Sequence, residues 1–487
     1  MSNRFLLAGV TIAVCGCGAA SSDPSSIAAP AATAGAGAPT ASAAANVADW
    51  PMFGRVPSRT SATGSIGISA AQAAGLRRRK VTLPGTVDSA PIFLHGVQAG
   101  GQRRDLFLMT TSYGRTVAVD AAGGQIVWTF TPAGYASWAG TYRIMNATPA
   151  AKGAFVYAGS PDGRVHKISI ATGREAGGRW PVTITKLPAR EKVTPAFGLM
   201  HGRIVVGTGG YVGDQPPYQG HIVTIDPGSG RIVGVTNSLC ANRHAIIDPR
   251  SCTSSDSAFW SRSGAVEMPD GTLLFTTGNA NFNGRTDFGD SVIRVSGDAR
   301  RLLGSWTPTN QAQLNVNDTD LGSTSPVLIG GGSILQSGKD AKLHVIAVSA
   351  LHRRGTVGHE RQVLPAPGGQ GMFTAPAVWH TGGRTYVFAT TGSGTAAYTQ
   401  SGGRLHQVWS HSTGGTSPIV AGGLLYVYDP NGALDVYAPR SGRLLAHLPA
   451  GAGHWNSPAP GNGVIALPEG SANDRSGTGT LDLYSVG

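Results

Sequence analysis

Short runs of alternating apolar and polar residues, each bounded by glycine turns, recur from about residue 80 to the end of the chain. The clearest unit is GRTVAVDAAGGQIVW, Gly114 to Trp128. A glycine leads into Thr116–Asp120, a polar Asp-to-Gly turn follows, and a second run ends at Trp128. Alternation with a period of two, bounded by turn residues, predicts half-buried antiparallel strands and excludes amphipathic helices as the main element.

Degenerate copies follow. They are GRVHKISIATGREAGGRW from Gly163, GHIVTIDPGSGRIVG from Gly220, DSVIRVSGDARRLLGSW from Asp290 and DAKLHVIAVSAL from Asp340. SGGRLHQVW ending at Trp409, NGALDVYAPRSGRLL from Asn431 and GTLDLYSVG at the C-terminus complete the set. Two more strand signals precede the units. One is a Ser/Thr-Pro-like lead-in (Ser89-Ala90-Pro91, Thr194-Pro195, Ser325-Pro326, Thr374-Ala375-Pro376, Ser417-Pro418, Ser457-Pro458); the other is a β-branched or aromatic run such as RIVVGTGG or GLLYVY. Each unit therefore supplies four short strands, the makings of one propeller blade, and blades bury their faces only by stacking in a ring. The count predicts an all-β, eight-bladed β-propeller of four-stranded antiparallel blades, with seven blades as the alternative because the sixth unit is compact and poorly matched. The last unit stops after its third strand. Lys80–Leu83, ahead of the first unit, is expected to supply the missing strand and close the ring, with a short helix-like stretch, Ser69 to Leu76, leading into it.

The N-terminus is organised differently. Arg4 and the apolar run Phe5–Val14, about ten residues long, are too short to span a bilayer and read as a signal peptide. Val14-Cys15-Gly16-Cys17 has the form of a lipobox, which makes Cys17 the expected lipidation site; plain secretion is the alternative. Residues 18–47 are Ala, Ser, Pro, Gly and Thr without apolar periodicity, the composition of a flexible tether. The expected organisation is a leader over 1–17, a tether over 18–47 and a propeller over 48–487.

Composition changes the picture in two places. The 71 glycines and 30 prolines carry no collagen period and fit many turns. A formal charge of +12 permits anionic partners, yet the cations are dispersed, and the run Arg77–Lys80 is too short to imply nucleic-acid binding. Cys240 and Cys252, the remaining pair in an exported chain, are expected to form a disulfide closing a short loop; such loops gain ~2–3 kcal/mol in the chain-entropy account.

Gly114–Trp128 matches the pattern G-x-x-x-A-x-D-x-x-x-G-x-x-x-W, and Asp49-Trp50-Pro51-Met52-Phe53-Gly54-Arg55 has the look of the same family's beginning. On these residues the body resembles the pyrroloquinoline quinone (PQQ) dehydrogenase-like propeller family, on its non-enzymatic extracytoplasmic branch. Asp318–Ser323 and Ser337–Asp340 are segments shared with such propellers. The resemblance implies the fold. It also implies two possible roles: quinone-dependent oxidation, or protein binding as in a lipoprotein of the outer-membrane barrel-assembly machine. The adjacent Cys-Cys pair, the Cys-x-x-Cys-His haem segment and a recognisable calcium constellation are missing, so no cofactor is expected; PQQ with calcium is the alternative.

Loops entering the innermost strands should converge on one channel mouth. They carry Tyr142, Arg143 and Asn146; Trp260 and Arg262; Asp318 and Asp320; Met372 and Phe373; and His454, Trp455 and Asn456. Charged groups beside tryptophan could orient a polar ligand over an aromatic floor, or could simply pair and close the channel. Asn279, Asn281, Asn283, Asp287 and Asp290 echo calcium-loop spacing, but their low charge makes them a weak metal candidate beside a hydrogen-bonded hairpin. No catalytic residue is assigned. The expectation is an extracytoplasmic, lipid-anchored and monomeric propeller. It would bind proteins or envelope polymers without catalysis and would meet the membrane only through its N-terminal lipid. A quinoprotein-type dehydrogenase and a carbohydrate-binding propeller are the alternatives.

Overall fold

A computed structural model describes residues 48–211 and 215–487. The leader, the Cys17 lipidation site and the tether lie outside the described residues. The body is an eight-bladed propeller, its sheets following one another in chain order. Blade 1 spans 92–130, blade 2 150–183, blade 3 198–237 and blade 4 266–307. Blade 5 spans 327–365, blade 6 377–411, blade 7 419–449, and blade 8 joins 459–486 to an N-terminal strand. That strand is Leu76–Leu83, paired antiparallel with Gly479–Val486 from Leu76↔Val486 to Leu83↔Gly479. Eight blades and closure by the N-terminal strand agree with the sequence; the strand begins earlier than Lys80, and Ala73–Gly75 forms a single 3₁₀ turn before it.

Burial follows position in the blade. Second and third strands such as Leu424–Asp429 and Ala433–Tyr437 are almost wholly buried, whereas fourth strands such as Arg404–His411 and Leu444–Pro449 alternate towards solvent. In blade 6 the sequence reading is corrected. Arg404–Trp409 belongs to the fourth strand, and the third is Gly394–Ser401, whose small residues mute the alternation. Blade 2 also departs, because the run to Trp180 is irregular and the fourth strand is Val182–Thr183.

The Gly and Trp of the repeat have a joint purpose. Trp128, on the fourth strand of blade 1, lies on Gly173 in the last hairpin of blade 2 and donates from Nε1 to Ile170 O at 2.8 Å. Trp409 of blade 6 lies on Gly442 of blade 7 and donates to Pro439 O at 2.9 Å. A Cβ on either glycine would stand 2.7 Å from the indole, and both have positive φ. In blades 1 and 6 the unit's Trp thus docks on a Gly of the next unit.

The segment 50–66 forms no regular strand pairing of its own beyond two residues, yet it stitches the ring together at the end opposite the mouth. Trp50 pairs with Phe93 of blade 1, Pro51 O accepts from Ala151 of blade 2, and Pro57 O accepts from Glu267 of blade 4. Thr60 O accepts from Val378 of blade 6, Ser61 O and Gly64 O from Val420 and Gly422 of blade 7, and Ile66 O from Gly463 of blade 8. At its centre Arg59 is fully buried, donating to Phe53 O at 2.6 Å, Ala265 O at 2.9 Å and Phe197 O at 3.0 Å. Burial pulls its guanidinium down to about 9, which still leaves it charged at neutral pH. Phe53 packs with Ala90, Ala196 and Ala375, each from the lead-in of a different blade. The latch therefore fills the axis from below.

Candidate functional site

Strand connections alternate between the two ends of a blade. The loops entering first strands, and those joining second to third strands, gather at one mouth. There they enclose a cavity of about 280 Å³, reached by Asn146, Lys192, Trp260, Arg262, Asp320 and Trp455 among others. Long connections deliver these side chains. The one carrying Trp260 and Arg262 runs from 238 to 265 and is pinned by the Cys240–Cys252 disulfide, with Cα atoms 6.2 Å apart. Asp287 Oδ1 accepts from Cys240 N at 3.1 Å and ties the same connection to the neighbouring loop.

Hydroxyl groups of the lead-ins lock adjacent blades near the axis. Thr148 Oγ1 accepts from Ala90 N at 3.1 Å, Ser417 Oγ from Ala375 N at 2.9 Å, and Thr194 Oγ1 donates to Phe259 O at 2.6 Å. These bonds explain why Ser or Thr stands there, and they give the mouth a fixed frame.

Arg262 is the central cation. Its guanidinium lies 4.5 Å over the Trp455 ring, within cation–π range. Phe373 and His454 flank that ring, with centroids 5.0 and 4.5 Å away. Burial lowers the Arg262 guanidinium to about 10 against the pull of Asp88. No carboxylate or carbonyl among the described residues accepts a hydrogen bond from it, although it lines the cavity. Asp88 is spent elsewhere: Oδ2 meets His454 Nδ1 at 2.8 Å, and Oδ1 accepts from Trp455 N at 2.8 Å. Asp320 is held by Lys339 Nζ at 2.5 Å and by Asn279 N at 2.8 Å; burial raises its carboxyl above the usual range while Lys339 opposes the rise.

Of the residues singled out from sequence, Asn146, Trp260, Arg262, Asp320, Phe373, His454 and Trp455 line the cavity. Tyr142 and Arg143 stand beside it. Arg143 donates to Pro161 O at 2.8 Å and Pro188 O at 2.9 Å, and Tyr142 meets Tyr211 edge-on. Asp318 sits on the rim, 3.5 Å from Lys339 Nζ, with a side chain 61% exposed. Asn456 and Met372 are buried, and Asn456 instead braces the loop by donating to Val87 O at 2.6 Å. Sequence reasoning missed Lys192, Thr194, Tyr211, Ser323, Lys339 and Asn473, which also line the cavity. A signal existed. Asn146, Lys192, Ser323 and Trp455 each stand two residues before the Ser or Thr of a lead-in, so that position faces the mouth.

The calcium-like loop folds as a hairpin around Asn283. Its Oδ1 accepts from the backbone of Arg285, Thr286 and Asp287 at 2.9–3.0 Å, and the Asn281 and Asn283 amides donate to Asp287 Oδ2. Asn279 and Asp290 turn towards the connection to blade 5, where Asp290 Oδ1 accepts from Leu321 N at 3.0 Å. Among the described residues no three His, Cys, Asp or Glu side chains are grouped to hold a metal. One arrangement was invisible in sequence: in blade 2, Ser160 Oγ meets His166 Nε2 at 2.8 Å, and His166 Nδ1 meets Glu175 Oε1 at 2.5 Å. Ser160 is fully buried and also bonds Asp162, so the trio ties strands together and presents no nucleophile.

This architecture defines an eight-bladed β-propeller with a cavity at one mouth. Residues 65–246 match the family model described as outer membrane protein assembly factor BamB, a PQQ-like repeat family. Among solved structures it is similar to the quinohemoprotein alcohol dehydrogenase of Comamonas testosteroni, at 16% identity over 91% of this chain and 82% of that one, with a TM-score of 0.68. It is similar also to a europium-containing methanol dehydrogenase, at 14% identity over 90% and 98% of the two chains, with a TM-score of 0.66. BamB from Moraxella catarrhalis aligns at 13% identity over 84% of this chain and 99% of that one, with a TM-score of 0.53. At these identities the likeness concerns the fold. No curated relative matches the sequence.

Proposed function

We propose that the chain is an extracytoplasmic, non-catalytic binding propeller whose mouth receives an anionic group of a protein or envelope component. The observation that carries this reading is Arg262: a half-buried cation over Trp455, lining a cavity, with its donors unclaimed among the described residues. A cationic donor set facing a cavity in this way favours a carboxylate or phosphate, which forms charge-assisted hydrogen bonds. The disulfide and the family match support the location; the lipid at Cys17 is part of the same proposal.

A quinone-dependent dehydrogenase is the second reading, favoured by the likeness of the dehydrogenase folds and by an aromatic, cationic cavity that suits a planar anion such as PQQ. Its calcium fits less well, because Asp320, the carboxylate at the cavity, is already bound to Lys339 and Asn279 N. Titration with PQQ, with and without calcium, separates the readings. Tight calcium-dependent binding overturns the scaffold proposal. For the scaffold, cross-linking in membranes should capture an envelope component on the wild-type chain. Arg262→Ala should lose it by about tenfold or more, the worth of one charged hydrogen bond, with melting unchanged. Equal capture by both chains would refute the role given to Arg262.

A further inference from the structure

The face opposite the mouth has its own character. Hairpins joining first to second strands and third to fourth strands lie there, together with the latch 50–66. In blades 6 and 7 those hairpins are HTGGR, SGGR, GG and APRSGR, rich in arginine and without an acidic residue. The wider stretch agrees, since no Asp or Glu occurs between Glu360 and Asp429. The next acid in blade 7, Asp435, is buried and held by His447 at 2.6 Å and the Tyr437 hydroxyl at 3.0 Å. Arg384, Arg404, Arg440 and Arg443 are all exposed, and none forms an ion pair with a carboxylate among the described residues.

Apolar features share this sector. A groove of about 300 Å³ is lined by Trp379, Leu424, Pro439 and Leu445, with Arg440 and Arg443 at its edge. Arg440 lies 5.8 Å over Trp379. Around the rim, the fourth strands of blades 5, 6 and 7 expose Val363, Val408 and Leu444. Basic side chains surrounding a tryptophan groove and an exposed apolar rim are the features of a surface that rests at a lipid headgroup layer. The latch meets blade 1 here, where Trp50 pairs with Phe93.

We propose that the base of blades 6 and 7 docks on an anionic lipid surface, independently of any lipid on the N-terminus. Arginines supply the attraction to phosphate headgroups, and Trp379 sits at the level of the headgroups. The mouth then faces away from the bilayer, open to partners.

The test uses the full-length chain with Cys15→Ser and Cys17→Ser, so that acylation cannot contribute. Flotation compares phosphatidylcholine vesicles with equimolar phosphatidylcholine–phosphatidylglycerol vesicles. Binding is expected only to the anionic vesicles and should weaken as salt rises. Each basic side chain near such a surface is worth about fivefold in partitioning, so Arg384→Gln, Arg404→Gln, Arg440→Gln and Arg443→Gln together should reduce it by at least about a hundredfold. A control with Lys186→Gln, Arg243→Gln, Arg250→Gln and Arg285→Gln removes the same charge from exposed positions on the mouth side and should bind nearly as wild type. No binding to either vesicle, equal binding to both, or equal loss in the control overturns the proposal. Retention on immobilised polyglutamate without vesicle binding would assign the face to an acidic protein instead, and would overturn it too.

Discussion

The docking of Trp128 and Trp409 on a glycine of the next blade yields a prediction with an internal control. In Gly442→Ala the new Cβ would stand 2.7 Å from Trp409 Cδ2 and 2.9 Å from His411 Nε2, at a φ of +72°. The backbone conformation alone costs a side chain about 1–2 kcal/mol. Relieving the contact requires the indole to move, and overpacking of this kind costs about 1–3 kcal/mol more. The sum is about 2–5 kcal/mol. Gly173→Ala meets Trp128 at the same 2.7 Å with φ +68° and should behave alike. Gly230→Ala has the same backbone strain, φ +70°, but its nearest neighbours are Arg179 Cβ at 3.2 Å and Trp180 at 3.3 Å, so it should lose only the backbone part. Urea unfolding followed by circular dichroism at constant m measures all three. Combining Gly442→Ala with Trp409→Leu should recover about 1–3 kcal/mol of coupling, because the two side chains then no longer collide. Equal losses at Gly442, Gly173 and Gly230, or no coupling, would refute the argument that the repeat's Gly exists to receive the indole.

Two further outcomes test the interior. Burial raises Asp290 to about 8, so the folded chain keeps a proton that the unfolded chain releases, and stability falls as pH rises from about 4 to about 8; Asp290→Asn should flatten that decline and raise Tm more at pH 8 than at pH 5. Arg59→Glu sets a buried carboxylate against three carbonyl oxygens, so limited proteolysis with mass readout should find new cuts within 50–66 while the blades stay resistant; protection equal to wild type would show that the latch does not depend on the guanidinium.

How far the sequence could be read follows from where backbone hydrogen bonds go. Strands such as Thr116–Asp120 pair with neighbours in the same unit, so their period of two and their glycine turns are local and visible. Closure was visible in Lys80–Leu83, but Leu76–Arg79 hid behind its charges; on an outer strand arginines point to solvent, and Arg78 turns in to meet Glu469 and Asp482. The latch was opaque. Its carbonyls satisfy one blade after another, so no period develops, and the positive φ of Arg55, Arg59 and Ser61 has no signature in those residue types. At the mouth, Trp260, Arg262 and Trp455 stood out by chemistry. Lys192 and Lys339 did not, because their position depends on the ring bringing blades 3 and 5 to one axis.

The latch also governs what the mouth can accommodate. With Arg59, Phe53 and the lead-in alanines filling the axis, the cavity is blind, and whatever enters must stay within about 280 Å³ or extend outward. That volume lies at the lower end of small-ligand pockets and would admit a side chain or a compact anion. The walls are fixed by hydroxyl bonds between blades and by the disulfide, so little ordering cost remains for an arriving group. On the proposed reading, a single anionic anchor seated on Arg262, with the rest of a partner over the loops around it, would use both properties, the small volume and the rigid frame.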